Sequence, residues 1–242
     1  MSGHSKWSQI KHKKGINDAK RGKLFSKLSN QITIAARQKG GDINTNPQLK
    51  IIAEKARSFN MPNENIERAV KKGTGQLSGV KMEELTAEAY SPGGVALIIE
   101  AITDNKNRTM SEIKFLLTQH GGKLAEAGSV NYLFERKGTI SIILSANHAS
   151  KEELELLAID CGAEDLRWND DHLDIYTKAE ELEKVRRAVE TKSIKTDSVQ
   201  LSWVPKTEIE ISDEKTKGQI EKLFEALDEN DDVNEIYSNL KS

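Results

Sequence analysis

Apolar residues recur every three or four positions over residues 17–39, at Leu24, Phe25, Leu28, Ile32, Ala35 and Ala36. Only a helix gathers that spacing onto one face. Gly40-Gly41 supplies the left-handed stop. Asn46-Pro47, a cap followed by proline, opens a second helix through Leu49, Ile52, Ala53 and Ala56 to about Phe59. A third helix, about 63–72, carries Ile66, Ala69 and Val70. Three short amphipathic helices bury their stripes against one another, which predicts a small helical domain. After the Gly/Ser-rich stretch 73–79 the period changes to two, predicting strands at 86–90 and 95–102 around the turn Ser91-Pro92-Gly93-Gly94. A helix at 107–120 follows, with Met110, Ile113, Leu116 and Leu117 on one face. Strand-like segments at 131–144, a helix at 151–161, strands at 164–168 and 173–177, a helix at 179–191 and a strand at 199–204 come next.

Residues 133–205 therefore read β-α-β-β-α-β, the ferredoxin-like order. The tail, a strand at 208–211, a helix at 214–227 and a strand at 233–237, has too little core to stand alone. Joined to the β-β-α unit of 85–125, it completes a second α+β sandwich. The predicted fold class is α+β: an N-terminal three-helix domain plus two ferredoxin-like domains, one inserted into the other. The predicted domains are 1–78, then 79–132 together with 206–242, and the insert 133–205. A contiguous split at about 205 is the alternative.

The chain has 242 residues, 36% apolar and 31% charged, the balance of a soluble globular protein. One Cys excludes a disulfide scaffold, and the longest apolar run, 95–102, is broken by Glu100. It falls short of the roughly 20 residues of a membrane span, and the first residues do not read as a signal peptide. The expectation is a cytoplasmic protein with no membrane partner. The net charge of −2 hides a division: residues 1–72 hold 16 Lys+Arg against 5 Asp+Glu, and the remainder holds 20 against 33.

The steepest part is 6–27, where eight cations face one acid, Asp18. Residues 1–15 show no sustained period and read as an extended arm. Lysines spaced along such an arm each meet a phosphate and release counterions, so the expected partner is nucleic acid. The candidate contacts are Lys6, Trp7, Lys11, His12, Lys13, Lys14, Lys20, Arg21, Lys23 and Lys27. Two roles are open to Trp7: stacking on a base, or anchoring the arm on its own domain. A second candidate contact comprises Tyr90, Gly93 and Gly94 at the turn and Asn105, Lys106, Asn107 and Arg108 in the loop before a helix. There Lys106 and Arg108 beside a helix N-terminus would hold an anion such as phosphate. The bland alternative is that Asp104 or Asn107 simply caps that helix.

Other chemistry finds no footing. The five His are scattered and Cys161 ends an apolar stripe, so neither a metal site nor a nucleophile is expected. Phosphate-loop and dinucleotide fingerprints are absent. No cofactor, catalytic residue or small-molecule substrate is therefore expected, and an enzyme of unknown class, a hydrolase or transferase, is the third and weakest alternative. The turn at 40–45 is longer than that of a helix-turn-helix, and no RNP aromatic pattern occurs, so the cations predict affinity without sequence specificity.

Gly3-His4-Ser5-Lys6-Trp7, Ile10-Lys11-His12-Lys13, Asp18-Ala19-Lys20-Arg21-Gly22-Lys23, the turn at 90–94, Thr103-Asp104-Asn105 with Asn107-Arg108-Thr109, and Gly128-Ser129-Val130 with Tyr132-Leu133-Phe134 together resemble the YebC/PmpR family. Ser91 stands where Gly is more usual. The resemblance implies three domains, a helical one and two ferredoxin-like ones. It also implies a cytoplasmic DNA-binding transcriptional regulator, with the basic N-terminal motif as the nucleic-acid contact. Relatives implicated in translation, a mitochondrial activator and ribosome-associated bacterial members, make a translation factor contacting rRNA the second implication.

Overall fold

The computed structural model describes residues 18–147 and 149–241, with side chains from residue 21 onward. Helices α1 (Asp18–Lys39), α2 (Pro47–Ser58) and α3 (Asn63–Gly73) close around Leu28, Ile32, Ala36, Leu49, Ala53, Ala56, Ile66 and Ala69. Helices α1 and α3 approach so closely that a Cβ on Gly73 would lie 2.4 Å from the Thr33 carbonyl oxygen. Glycine is required there by space.

Strands β1 (Glu83–Tyr90) and β2 (Ala96–Thr103) pair antiparallel, with Tyr90 opposite Ala96 and Glu83 opposite Thr103. Helix α4 (Lys106–Gln119) and the two-residue β3 (Lys123–Leu124) follow. Next come β4 (Phe134–Ile143), α5 (Lys151–Asp160), β5 (Asp165–Asn169), β6 (His172–Lys178), α6 (Leu182–Thr191) and β7 (Ser198–Pro205). Helix α7 (Glu214–Glu229) and β8 (Val233–Ser238) complete the described chain. One antiparallel sheet has the order β3-β1-β2-β8 and the other β5-β6-β4-β7. The chain leaves the first sheet, builds the second, and returns to pair β8 with β2.

Central strand β2 is buried on both faces. Leu97 and Ile99 enter a core with Ile113 and Leu117 of α4 and Ile220, Leu223 and Leu227 of α7. Ala96 and Ile98 turn the other way, against Phe134, Tyr237 and Trp203. Glu100 on that face accepts hydrogen bonds from Arg136 (2.8 Å), Trp203 Nε1 (2.9 Å) and the Tyr237 hydroxyl (3.2 Å), tying the sheets together. Burial, then the nearby Glu100 carboxylate, pushes the Tyr237 hydroxyl well above its ordinary value.

Three expectations need correction. The segment 208–211 forms no strand; Ile209 makes a single parallel bridge to Leu240 before Asp213 caps α7. A 3-10 turn, Asn131–Leu133, precedes β4 where strand was expected, and another, Ala179–Glu181, precedes α6. The short β3 was missed because two residues carry no readable period.

Candidate nucleic-acid interface

Of the arm candidates, Lys6, Trp7, Lys11, His12, Lys13 and Lys14 lie outside the described residues, as does the Lys20 side chain. Arg21, Lys23 and Lys27 stand on the first turns of α1, with Arg21 exposed. Lys23 donates to the Glu229 carbonyl at 2.9 Å and lies 3.3 Å from the Asp231 carboxylate. Lys27 is only 6% exposed; its ammonium donates to the Asp228 carbonyl at 2.6 Å, with the Asp228 carboxylate at 3.7 Å. Both lysines meet the C-terminal end of α7. The last carbonyls of a helix lack intrahelical partners and carry the negative end of its dipole, so ammonium groups are favoured there. Lys55 of α2 adds an ion pair with Glu235 at 3.1 Å. The acidic run 228–235 thus docks on the basic helices, and Lys27 reaches a phosphate only if that contact opens.

The second candidate contact is divided. Tyr90, Gly93 and Gly94 lie at one end of the β1–β2 pair, and Asn105, Lys106, Asn107 and Arg108 follow its other end. Eight-residue strands separate the two groups by about 24 Å. At the far end Asn105, rather than Asp104 or Asn107, caps α4, its side chain accepting from the Arg108 backbone N–H at 3.1 Å. Arg108 lies 2.8 Å from Asp232 and 2.9 Å from Asp104, and Thr109 donates its hydroxyl to Asp232 at 2.6 Å. Lys106 pairs with Glu83 at 3.4 Å. Beside this helix N-terminus Arg108 is met by the chain's own Asp232. Burial pushes the Asp232 carboxyl up, and the hydrogen bonds from Thr109, Arg108 and Thr103 outweigh it, leaving it below its ordinary value.

At the near end Gly93 has φ +76°, and a Cβ there would sit 2.7 Å from Ile211 Cδ1, so the turn packs tightly beside the start of α7. Half-buried Tyr90 donates its hydroxyl to the Ser129 carbonyl at 3.2 Å, and the Lys123 ammonium lies 5.7 Å from its ring centroid. The Glu88 carboxylate accepts backbone N–H groups of Gly128 and Val130, each at 2.6 Å, and of Asn131 at 2.8 Å. Burial raises the Glu88 carboxyl, and these three bonds more than reverse the effect. Sequence reasoning quoted the motif at 128–134 without finding this grip. A glutamate on alternating β1 gives no sign that it holds a loop some forty residues on.

A family model described as the TACO1/YebC second and third domain matches residues 82–240, and one described as the TACO1/YebC protein N-terminal domain matches residues 5–76. The chain belongs to the TACO1/YebC family. A Halothermothrix orenii protein named "Probable transcriptional regulatory protein" is 48% identical over 239 residues, covering 99% of this chain and 94% of that one. A Persephonella marina protein of the same name is 47% identical over 242 residues, covering 100% and 96%. The crystal structure of a conserved hypothetical protein from Aquifex aeolicus matches with a TM-score of 0.86 at 45% identity, covering 93% of this chain and 91% of that one.

The TACO1/YebC helical domain has one connection that the sequence reading passed over. Residues 59–62 join α2 to α3 in four residues, within helix-turn-helix length. The exposed N-terminal half of α3 presents Glu64 and Glu67 beside Arg68, a mixed face rather than a basic one. Among the described residues no group of three or more His, Cys, Asp or Glu is placed to hold a metal ion, and no helix is long and apolar enough to cross a membrane. Cys161 is buried in the second sheet's core, where burial pushes its thiol up, away from the reactive thiolate.

Proposed function

We propose that this chain is a cytoplasmic, non-enzymatic regulator of gene expression that binds nucleic acid, acting as a transcriptional regulator whose basic N-terminal region contacts DNA. The observation that carries this is the asymmetry of charge. Eight cations face one acid over residues 6–27, and the chain's own acidic run meets that stretch at Lys23 and Lys27. The six cations from Lys6 to Arg21 are the proposed phosphate contacts, and the names borne by the relatives support the regulatory role. The domains proposed with it are 1–78, 79–132 with 206–242, and 133–205. Pairing of β8 with β2, while β4–β7 pair among themselves, supports that division.

A second reading, a ribosome-associated translation factor contacting rRNA, is favoured by one feature: the basic stretch 6–27 offers phosphate contacts and no pattern for reading base edges, which suits a folded RNA as well as a duplex. Crosslinking the protein in cells and sequencing the bound nucleic acid separates the two. Discrete promoter DNA is the result expected of the transcriptional reading, and enrichment of rRNA supports the translational one. Recovery of neither overturns both.

A further inference from the structure

Tyr132 stands on the 3-10 turn that leads into β4 and is 64% exposed. The backbone beneath it is held on both sides. Glu88 takes the N–H of Val130 and of its neighbour Asn131, and Tyr90 holds the Ser129 carbonyl. The Leu133 N–H donates to the Val130 carbonyl at 2.9 Å, and the Leu133 carbonyl accepts the Lys206 N–H at 2.9 Å. Such a turn fixes the Tyr132 backbone and leaves its aromatic ring in solvent.

Two exposed lysines lie near this loop, whose backbone is also held by the Glu88 carboxylate. The Lys206 ammonium lies 3.0 Å from the Tyr132 carbonyl, and Lys123 sits over Tyr90, whose hydroxyl reaches the same loop. Lys23, Lys27, Lys55, Lys106 and Arg108 all form ion pairs, whereas neither Lys123 nor Lys206 does so among the described residues. Both are exposed.

We propose that Tyr132, with Lys206 bonded to its carbonyl, is a platform on which an unpaired base of a single-stranded nucleic acid stacks while Lys206, and Lys123 over Tyr90, take phosphates of the same strand. An aromatic ring held in the open beside cations is the arrangement that binds single strands with little regard for sequence, because every base offers a π-face. A duplex keeps its bases stacked on one another and offers this ring nothing. The proposal rests on the nucleic-acid reading above and adds to it a second contact surface, distinct from the basic arm.

The test measures binding of the full chain to a labelled single-stranded oligonucleotide, as RNA and as DNA, and to the duplex of the same sequence. Tyr132→Ala is expected to weaken single-strand binding about tenfold in both sugars and to leave duplex binding within about twofold. Tyr132→Phe, which keeps the ring, is expected to bind as the parent does, and Lys206→Gln to flatten the salt dependence of single-strand binding. Parental binding by Tyr132→Ala, an equal loss on duplex, or failure of Tyr132→Phe would overturn the platform. Replacing Lys11, Lys13 and Lys14 with Gln keeps the two readings apart. If that variant loses affinity while Tyr132→Ala does not, the arm stands and the platform falls. If the parent binds none of the three probes, both fall.

Discussion

Asn46 spends its whole side chain on backbone. It is fully buried, its oxygen accepts the Leu49 N–H at 3.1 Å to cap α2, and its nitrogen donates to the carbonyls of Ala35 at 2.9 Å and Gly40 at 2.8 Å. Asn46→Ala leaves those groups buried without partners and is expected to cost about 2–3 kcal/mol in urea unfolding. A second residue-scale expectation concerns pH. Arg186, 3% exposed, is gripped by Glu183 through two hydrogen bonds of 2.8 Å. The Arg186 hydrogen bonds lower the Glu183 carboxyl from 4.5 to about 2, burial opposing them. Between those values the unfolded chain binds a proton that the folded chain refuses. The stabilisation is therefore complete above about pH 4.5 and is lost as pH falls toward 2. The urea-midpoint gap between the parent and Glu183→Gln should be widest near pH ~7 and narrow below about 4.5; a constant gap would contradict the assignment. Legibility at this scale was uneven. Asn46 announced itself by standing before Pro47, whereas Asp104, Asn105 and Asn107 are all capping types within four positions, and only backbone geometry selects Asn105.

Between elements, the most informative contact is that of α1 with the end of α7. Lys23 and Lys27 supply donors to carbonyls that α7 leaves open, and Lys27 does so nearly out of solvent. Removing a buried charge from its partner costs far more than removing an exposed one. Lys27→Gln is expected to lower stability by about 3 kcal/mol and to speed proteolytic cleavage within 74–82, whereas Lys23→Gln should change either by little. Equal behaviour of the two variants in limited proteolysis would contradict this account. The elements themselves were readable because their stripes are long: α1 buries Leu28, Ile32, Ala35 and Ala36 as its spacing requires. Their contacts were not. Lys27 looks like any lysine of a basic run, and nothing in its neighbours shows that the partner lies 201 residues away. The segment at 208–211 failed for a related reason, since a strand needs a partner and only Leu240 is offered.

Across the whole molecule, the division of charge written in the sequence is partly closed by folding. Residues 1–72 carry 16 cations against 5 acids, and the acidic run 228–235 answers Lys23, Lys27 and Lys55. Asp232, in the same run, answers Arg108, so one segment meets the last two cations of the basic stretch and one cation of the second candidate group. Composition could show that the two halves differ in sign; it could not show which cations the chain would neutralise itself. What the account requires is that the cations ahead of Lys23 bind phosphate. The direct test is the salt dependence of duplex DNA binding by the full chain, compared with the variant carrying Gln at 11, 13 and 14. The account predicts weaker binding and a log–log slope smaller by about 0.9 for each lost phosphate contact. Identical affinity and slope in the two proteins would contradict it.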